Sequence, residues 1–188
     1  GSTNFGFFTR DQLAQQVGLR ELKRADPDEF AEWHPSWPGP LPDQAPFPAP
    51  MLRMIDRIEL FQPNGGSHRL GYIRGSKEVN PDEWFFKAHF FQDPVWPGSL
   101  GLEAFLQLLK VVAVNRWGEP TDSLAFSLAT GEWHEWTYRG QVVPRNQMVV
   151  VEADVCEVND THRTVRASGY LGVDGLWIYH MSNFTLRG

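Results

Sequence analysis

An α+β fold, with an antiparallel sheet wrapped around one long apolar helix, is predicted by three features of this sequence. The most apolar run, residues 100–117, holds no proline and exceeds the usual length of a strand, so it reads as a helix. Beyond it, residues 148–158 alternate: Val149, Val151, Ala153 and Val155 share one face, Glu152 and Asp154 the other. Asn64-Gly65 and Asp174-Gly175 are hairpin turns between strand-like segments. A helix that is apolar on most sides must be buried, and burying it requires the sheet to curl around it.

Taken in order, the chain begins with an arm, residues 1–50, expected to pack on the domain formed by residues 51–188. Thr9 with Gln12 has the pattern of a helix start, followed by Leu13 and Val17, with Gly18 as the expected end. An acidic segment, residues 27–33, reads as one or two helical turns with Asp26 as cap. Seven prolines between Pro35 and Pro50 exclude regular structure and predict an extended stretch. Residues 51–62 and 69–79 read as paired strands around the turn at Pro63-Asn64-Gly65-Gly66. The long helix follows, with Pro97 just ahead of Gly98 and Ser99 as its start signal. Glu103, Gln107 and Lys110 stand at i, i+4 and i+7, one polar stripe on an apolar rod. Residues 124–138, 148–158, 163–173 and 176–186 complete the strands.

Composition narrows the class. A chain of 188 residues makes one domain with a sizeable core. The polar stripe interrupts the apolar run too early for a membrane span of about 20 residues, and no signal peptide is expected. Cys156 is the sole cysteine, so no internal disulfide forms and a cytoplasmic setting is expected. A net charge of −6 argues against nucleic acid as a partner. His34, His68, His134, His162 and His180 show no metal-ligand spacing; neither metal nor cofactor is expected. Cys156 has no basic neighbour to activate it and reads as a strand cysteine.

The chemistry concentrates in His89-Phe90 … Asp93-Pro94-Val95-x-Pro97-Gly98-x-Leu100-Gly101-Leu102-Glu103-Ala104. This segment resembles the active-site segment of the hotdog-fold 3-hydroxyacyl-[acyl-carrier-protein] dehydratases, in the branch that includes the dehydratase/isomerases. Met51-Leu52-Arg53-Met54-Ile55-Asp56-Arg57-Ile58, Asn80-Pro81-Asp82-x-Trp84-Phe85-Phe86, Gly140-Gln141-Val142-Val143-Pro144 and Val173-Asp174-Gly175-x-x-Ile178-Tyr179 resemble further segments of that family in the same order. The resemblance covers residues 47–186, with a weaker stretch at Phe8-Thr9-Arg10-Asp11-Gln12-Leu13. It is most like the dehydratase domains of polyunsaturated fatty acid synthases. Residues 22–41 have no counterpart in stand-alone members.

The resemblance implies a hotdog fold and dehydration of 3-hydroxyacyl thioesters, the acyl chain being carried on the phosphopantetheine of an acyl carrier protein. Such a reaction needs a base, an acid and a donor to the thioester oxygen. His89 suits the first role as a neutral imidazole. Glu103 suits the second if apolar surroundings keep it protonated. The Gly98 amide, at a helix N-terminus, suits the third. The family adds that the Val95 carbonyl orients the histidine ring, that Gln107 holds the acid, and that a second hotdog completes the site. His89 and Glu103 stand fourteen residues apart, the family's His-to-acid spacing.

Glu103 stands where the isomerising branch has Asp, so isomerisation stays open. An acidic carrier meeting a −6 domain requires a local basic patch, expected at Arg163 and Arg166 with Arg145 as a further member. Two other readings remain at this stage: a hotdog thioesterase, and a non-catalytic pairing domain of a megasynthase. Taken singly, His89 is an ordinary core histidine and Pro97-Gly98 an ordinary turn; the ordered set favours catalysis.

Overall fold

The computed structural model describes residues 1–2, 6, 9–27, 34, 37–118 and 126–188. Helices α1 (Arg10–Ala14), α2 (Trp84–Ala88) and α3 (Gly98–Trp117) accompany strands β1 (Gly39–Pro40), β2 (Arg57–Gln62), β3 (Tyr72–Glu78), β4 (Ser127–Leu128), β5 (Glu135–Tyr138), β6 (Met148–Asn159), β7 (Thr164–Val173) and β8 (Leu176–Arg187). The strands form one antiparallel sheet in the order β1-β2-β3-β6-β7-β8-β4, and β5 pairs with another stretch of β8. This is the α+β hotdog arrangement: a sheet wrapped around one long helix.

The alternation in β6 works as the sequence requires. Val149, Val151, Ala153 and Val155 are wholly buried and turn inward toward Phe105, Leu108 and Leu109 of α3. Gly169 of β7 lets Phe105 close on the sheet, since a β-carbon there would lie 2.5 Å from the Phe105 ring. Removing a wholly buried phenylalanine of this kind costs about 3–5 kcal/mol. By length and composition α3 could cross a membrane; in this fold it is the core helix, packed on β3, β6, β7 and β8.

Several boundaries differ from the sequence expectation. The Thr9 capping box forms, with Gln12 on the Thr9 amide, but α1 ends at Ala14. Gly18, at φ +68°, serves instead to swing the chain onto the sheet, where Leu19 N–H donates to the Trp177 carbonyl at 2.8 Å. Strand β2 starts at Arg57 rather than Met51, because the Met54 and Ile55 amides are taken by the Gln107 side chain. β3 starts at Tyr72, since Arg69 sits in the turn with φ +56°. The segment expected as one strand at 124–138 is two short ones, β4 and β5. Among its described residues the proline-rich stretch is irregular apart from β1 and a 3-10 turn at Pro50–Leu52; Pro40 is tolerated because β1 is an edge strand. Helix α2 was not anticipated, its aromatic run having no helical period. Apart from Pro27, the acidic segment at 27–33 lies outside the described residues.

The arm crosses the outer face of the sheet, and there it buries charge. Glu152, on the face of β6 opposite the valines, is 2% exposed. Arg24 grips both its oxygens, at 2.5 and 2.6 Å, and the Tyr72 hydroxyl donates to it at 2.8 Å. The same guanidinium lies 4.0 Å from the centre of the Trp177 ring. Lys23 N–H donates to the Tyr170 hydroxyl, and Gln62 donates to the Pro27 carbonyl.

The far end of α3 is clasped to the β6–β7 turn. Arg116 donates to both oxygens of Asp160, and Trp117 Nε1 donates to it at 2.8 Å. These donors, Arg116 foremost, lower the Asp160 carboxyl to about 2. A carboxyl lowered on folding stabilises the fold above its ordinary value of 3.8, and that stabilisation fades as pH falls through about 2. Asp160→Asn should therefore melt below wild type at pH 7, the gap closing as pH falls from 4 toward 2 in thermal scans. A gap that stays constant over that interval would show the clasp contributes nothing through charge.

Candidate functional site

The site is built where the loop after α2 enters α3. His89 caps the C-terminus of α2, its amide bonded to the Phe85 carbonyl at 3.0 Å. Its Nδ1 lies 3.2 Å from the Val95 carbonyl oxygen. A carbonyl can only accept, so Nδ1 carries the proton and Nε2 presents its lone pair. Phe90 lies against the imidazole, ring centres 4.1 Å apart. Val95 is buried, and the next residue anchors the loop: Trp96 N–H donates to the Val142 carbonyl at 2.9 Å.

Glu103 lies in the second turn of α3, half-buried. Gln107, one turn on and wholly buried, donates to Glu103 Oε1 at 2.9 Å. The second amide hydrogen of Gln107 goes to the Leu52 carbonyl at 2.9 Å, and its oxygen accepts from Met54 and Ile55. Every hydrogen-bonding group of the amide is thus engaged, which fixes its orientation: reversing it would set donors against donors. Oε1 of Glu103 is consequently an acceptor, and Oε2 stands outside this contact.

The first turn of α3 completes the set. No side chain caps this end and its first turn carries no acidic residue. The Gly98 and Ser99 amides have no partner among the described residues, so this end offers donors and positive potential to an incoming oxygen. Trp136 of β5 covers Gly98; a β-carbon at 98 would lie 2.7 Å from Cη2 and 2.8 Å from Cζ2 of the indole. Tyr179 packs beneath Gly101, and burial pushes its hydroxyl well above the ordinary value, which keeps it neutral. Among the described residues the buried indole nitrogens of Trp96 and Trp136 make no hydrogen bond, each an unmet donor costing about 1–3 kcal/mol.

Among the described residues no hydrogen bond or ion pair joins His89 to Glu103; each is tied within its own neighbourhood. Around them apolar side chains face outward: Phe91 is 91% exposed, Met51 63% and Phe90 56%. Near them, the outer edge of β5 pairs with no strand among the described residues.

The three arginines expected to form one basic patch do not. Arg166 is committed to Glu157, Glu132 and Thr185 at 2.7, 2.9 and 3.1 Å. Arg163 is exposed in the turn after β6, while Arg145 is exposed in the turn before it. The 12-residue length of β6 separates the two, about 40 Å. Cys156 is half-buried near the end of β6, its thiol pushed up by burial. No cluster of metal-binding side chains occurs among the described residues. Trp136 was not singled out by the sequence reading; an aromatic at a strand position carries no mark of what it will cover.

Known proteins share the family and the fold. A family model described as a FabA-like domain matches residues 47–182. The chain is 34% identical over 211 aligned residues to a polyunsaturated fatty acid synthase polypeptide of Thraustochytrium sp. (strain ATCC 26185 / S-3). That match takes in all of this chain and 14% of the length of the synthase polypeptide. Among solved structures, the dehydratase heterocomplex ApeI:P from Xenorhabdus doucetiae superposes with a TM-score of 0.53 at 12% identity, covering 75% of this chain and 86% of that one. A hotdog sheet around α3, with the family match across it, places this chain in the FabA-like family.

Proposed function

We propose that the chain dehydrates 3-hydroxyacyl thioesters, presented by an acyl carrier protein, to trans-2-enoyl thioesters, in a site assembled from two hotdogs. The observation that carries this reading is a pair of proton-transfer groups, each held ready at one end of the uncapped helix. His89 keeps Nε2 free by spending Nδ1 on the Val95 carbonyl, and Glu103 keeps Oε2 free by giving Oε1 to Gln107.

In this reading His89 Nε2 takes the proton from C2, and charge builds on the thioester oxygen against the Gly98 amide. The electron pair then forms the C2–C3 double bond as the C3–O bond breaks. Glu103 Oε2 protonates the departing hydroxyl, which leaves as water. His89 and Glu103 share no hydrogen bond among the described residues, and in this reading His89 of one hotdog faces Glu103 of another. The exposed Phe90, Phe91 and Met51 and the free edge of β5 are the surface such a pairing would cover. The partner is a second copy or a neighbouring hotdog of a longer synthase; ApeI:P is itself described as a heterocomplex. Residues 1–50 act as an arm fastened to the catalytic domain of 51–188, working in the cytoplasm without a cofactor. Of the three arginines considered for carrier docking, Arg163 and Arg145 make no side-chain hydrogen bond or ion pair among the described residues, and Arg163 is the one retained.

The test is incubation with a series of straight-chain 3-hydroxyacyl pantetheines, the product read by mass spectrometry. Loss of one water with the thioester intact is expected. Release of the free 3-hydroxy acid would assign hydrolysis instead, and no conversion by a verified hotdog pair would leave only a pairing role. Run beside carrier-bound substrate, the same assay tests Arg163→Glu, which should raise KM for the carrier-bound form alone.

A further inference from the structure

The proton-transfer roles of His89 and Glu103 leave one buried charge unused: Lys77 of β3, 6% exposed. Its ammonium meets the Glu83 carboxylate at 3.1 Å and the Asp56 carboxylate at 3.3 Å. Those two partners are held very differently. Asp56 is fastened by its own backbone, whose amide donates to Ser76 and whose carbonyl accepts from Leu41. Its second carboxylate oxygen takes the Glu78 amide at 2.9 Å. The Glu83 side chain has Lys77 as its one partner among the described residues, and Glu83 is the N-cap of α2.

Helix α2 needs such a fastening. It has five residues, too few to hold a helix by themselves, and no side chain caps its start. His89 stands at its other end. The Nδ1 bond that orients the imidazole spans two anchors: the end of α2, and Val95, fixed through Trp96 to the Val142 carbonyl. At 3.2 Å that bond is at the long limit of a good one, so a small drift of α2 breaks it. Buried Phe85 and Phe86, with Trp84 donating to the Met51 carbonyl at 2.9 Å, keep α2 docked without Lys77. What the ion pair adds is its place.

We propose that Lys77 is a positioning residue for the base: through Glu83 it fixes the start of α2, and with it the place and tautomer of His89. The inference rests on the dehydratase reading. Lys77 itself moves no proton. An ammonium suits the task because it ties β3, the lead-in to β2 and α2 at one point, which an apolar side chain would not do. The acid lies outside this control. Gln107, which holds Glu103, is bound by Leu52, Met54 and Ile55, on a lead-in that keeps the Asp56 backbone bonds when Lys77 is replaced.

The test exploits a site divided between two chains. Lys77→Met keeps the reach of the side chain without its charge, and with 3-hydroxybutyryl pantetheine it should lower kcat about tenfold at unchanged KM. Glu83→Ala, which leaves Lys77 on Asp56 and so strands no buried charge, should do the same. In mixed pairs of His89→Ala and Glu103→Ala chains, Lys77→Met should remove most of the restored activity when placed on the Glu103→Ala chain, which supplies His89. Placed on the His89→Ala chain, which supplies Glu103, it should cost little. Equal losses from both placements would show a general weakening of the fold and overturn the proposal. A second readout needs no turnover. In long-range ¹H–¹⁵N spectra taken where His89 is neutral, Nδ1 should carry the ring proton in wild type and share it with Nε2 in Lys77→Met. A ring that keeps its Nδ1 proton in Lys77→Met would refute the positioning. Should wild type dehydrate no 3-hydroxyacyl pantetheine, or the parent mixture recover nothing, the dehydratase reading or the shared site falls by that result, whereas the His89 ring reports on Lys77 separately.

Discussion

His89→Ala and Glu103→Ala should each lower kcat on 3-hydroxyacyl thioesters by about a hundredfold to ten-thousandfold, the range of a lost acid or base. Both should stay folded. His89 closes a short helix and is half-buried, and Glu103 gives one hydrogen bond partner to a Gln107 that keeps three others. The loss therefore reads chemistry rather than unfolding, which far-UV circular dichroism and a melting curve will confirm. Gln107→Leu acts differently. It releases the Glu103 carboxyl and strips acceptors and donors from Leu52, Met54 and Ile55 at once, so lower activity should come with lower stability. Near-normal turnover by either alanine variant would remove that residue from the mechanism.

The largest effect on stability is expected from Arg24→Ala. It strands the Glu152 carboxylate, 2% exposed, with the Tyr72 hydroxyl as its remaining donor. Breaking a buried pair costs about 3–5 kcal/mol, and the partial exposure of Arg24 discounts this to about 2–3 kcal/mol. For a chain of this size that is a fall in Tm of roughly 5–10 °C. Adding Glu152→Leu should restore most of the loss, since an apolar residue of similar size leaves no orphaned charge. If Arg24→Ala melts with wild type, the arm is held by its other contacts and the ion pair contributes little.

How much of this was legible in the sequence follows from what each signal depends on. The core helix and β6 to β8 were readable because periodicity and turn residues are local: Val149 to Val155 alternate, and Asp174-Gly175 can take the positive φ of a hairpin, at +49° and +85°. Boundaries failed where a distant side chain decided them. Met51 to Ile55 looks like strand, yet two of its amides belong to Gln107. The partner of Glu152 could not be read, because nothing local announces that Arg24 will cross the sheet to meet it. At the site, His89, Gly98 and Glu103 could be picked out because an ordered motif joins them. The arginines could not be judged, since sequence proximity hides that Arg166 is consumed by Glu132 and Glu157. Trp136 was invisible for the same reason, its meaning residing wholly in the glycine it covers.

The central claim is that His89 of one hotdog works with Glu103 of another, and exchange of protomers tests it most directly. His89→Ala and Glu103→Ala proteins, each inactive, are mixed under conditions where exchange is verified by native mass spectrometry of differently labelled copies. A mixed isologous pair holds one site with both groups intact and one with neither. Turnover of a 3-hydroxyacyl pantetheine should then rise well above that of either parent, toward about one quarter of wild type for random pairing and independent sites. Activity that stays at the level of the separate variants, with mixed pairs present, would contradict a site shared between two copies of this chain.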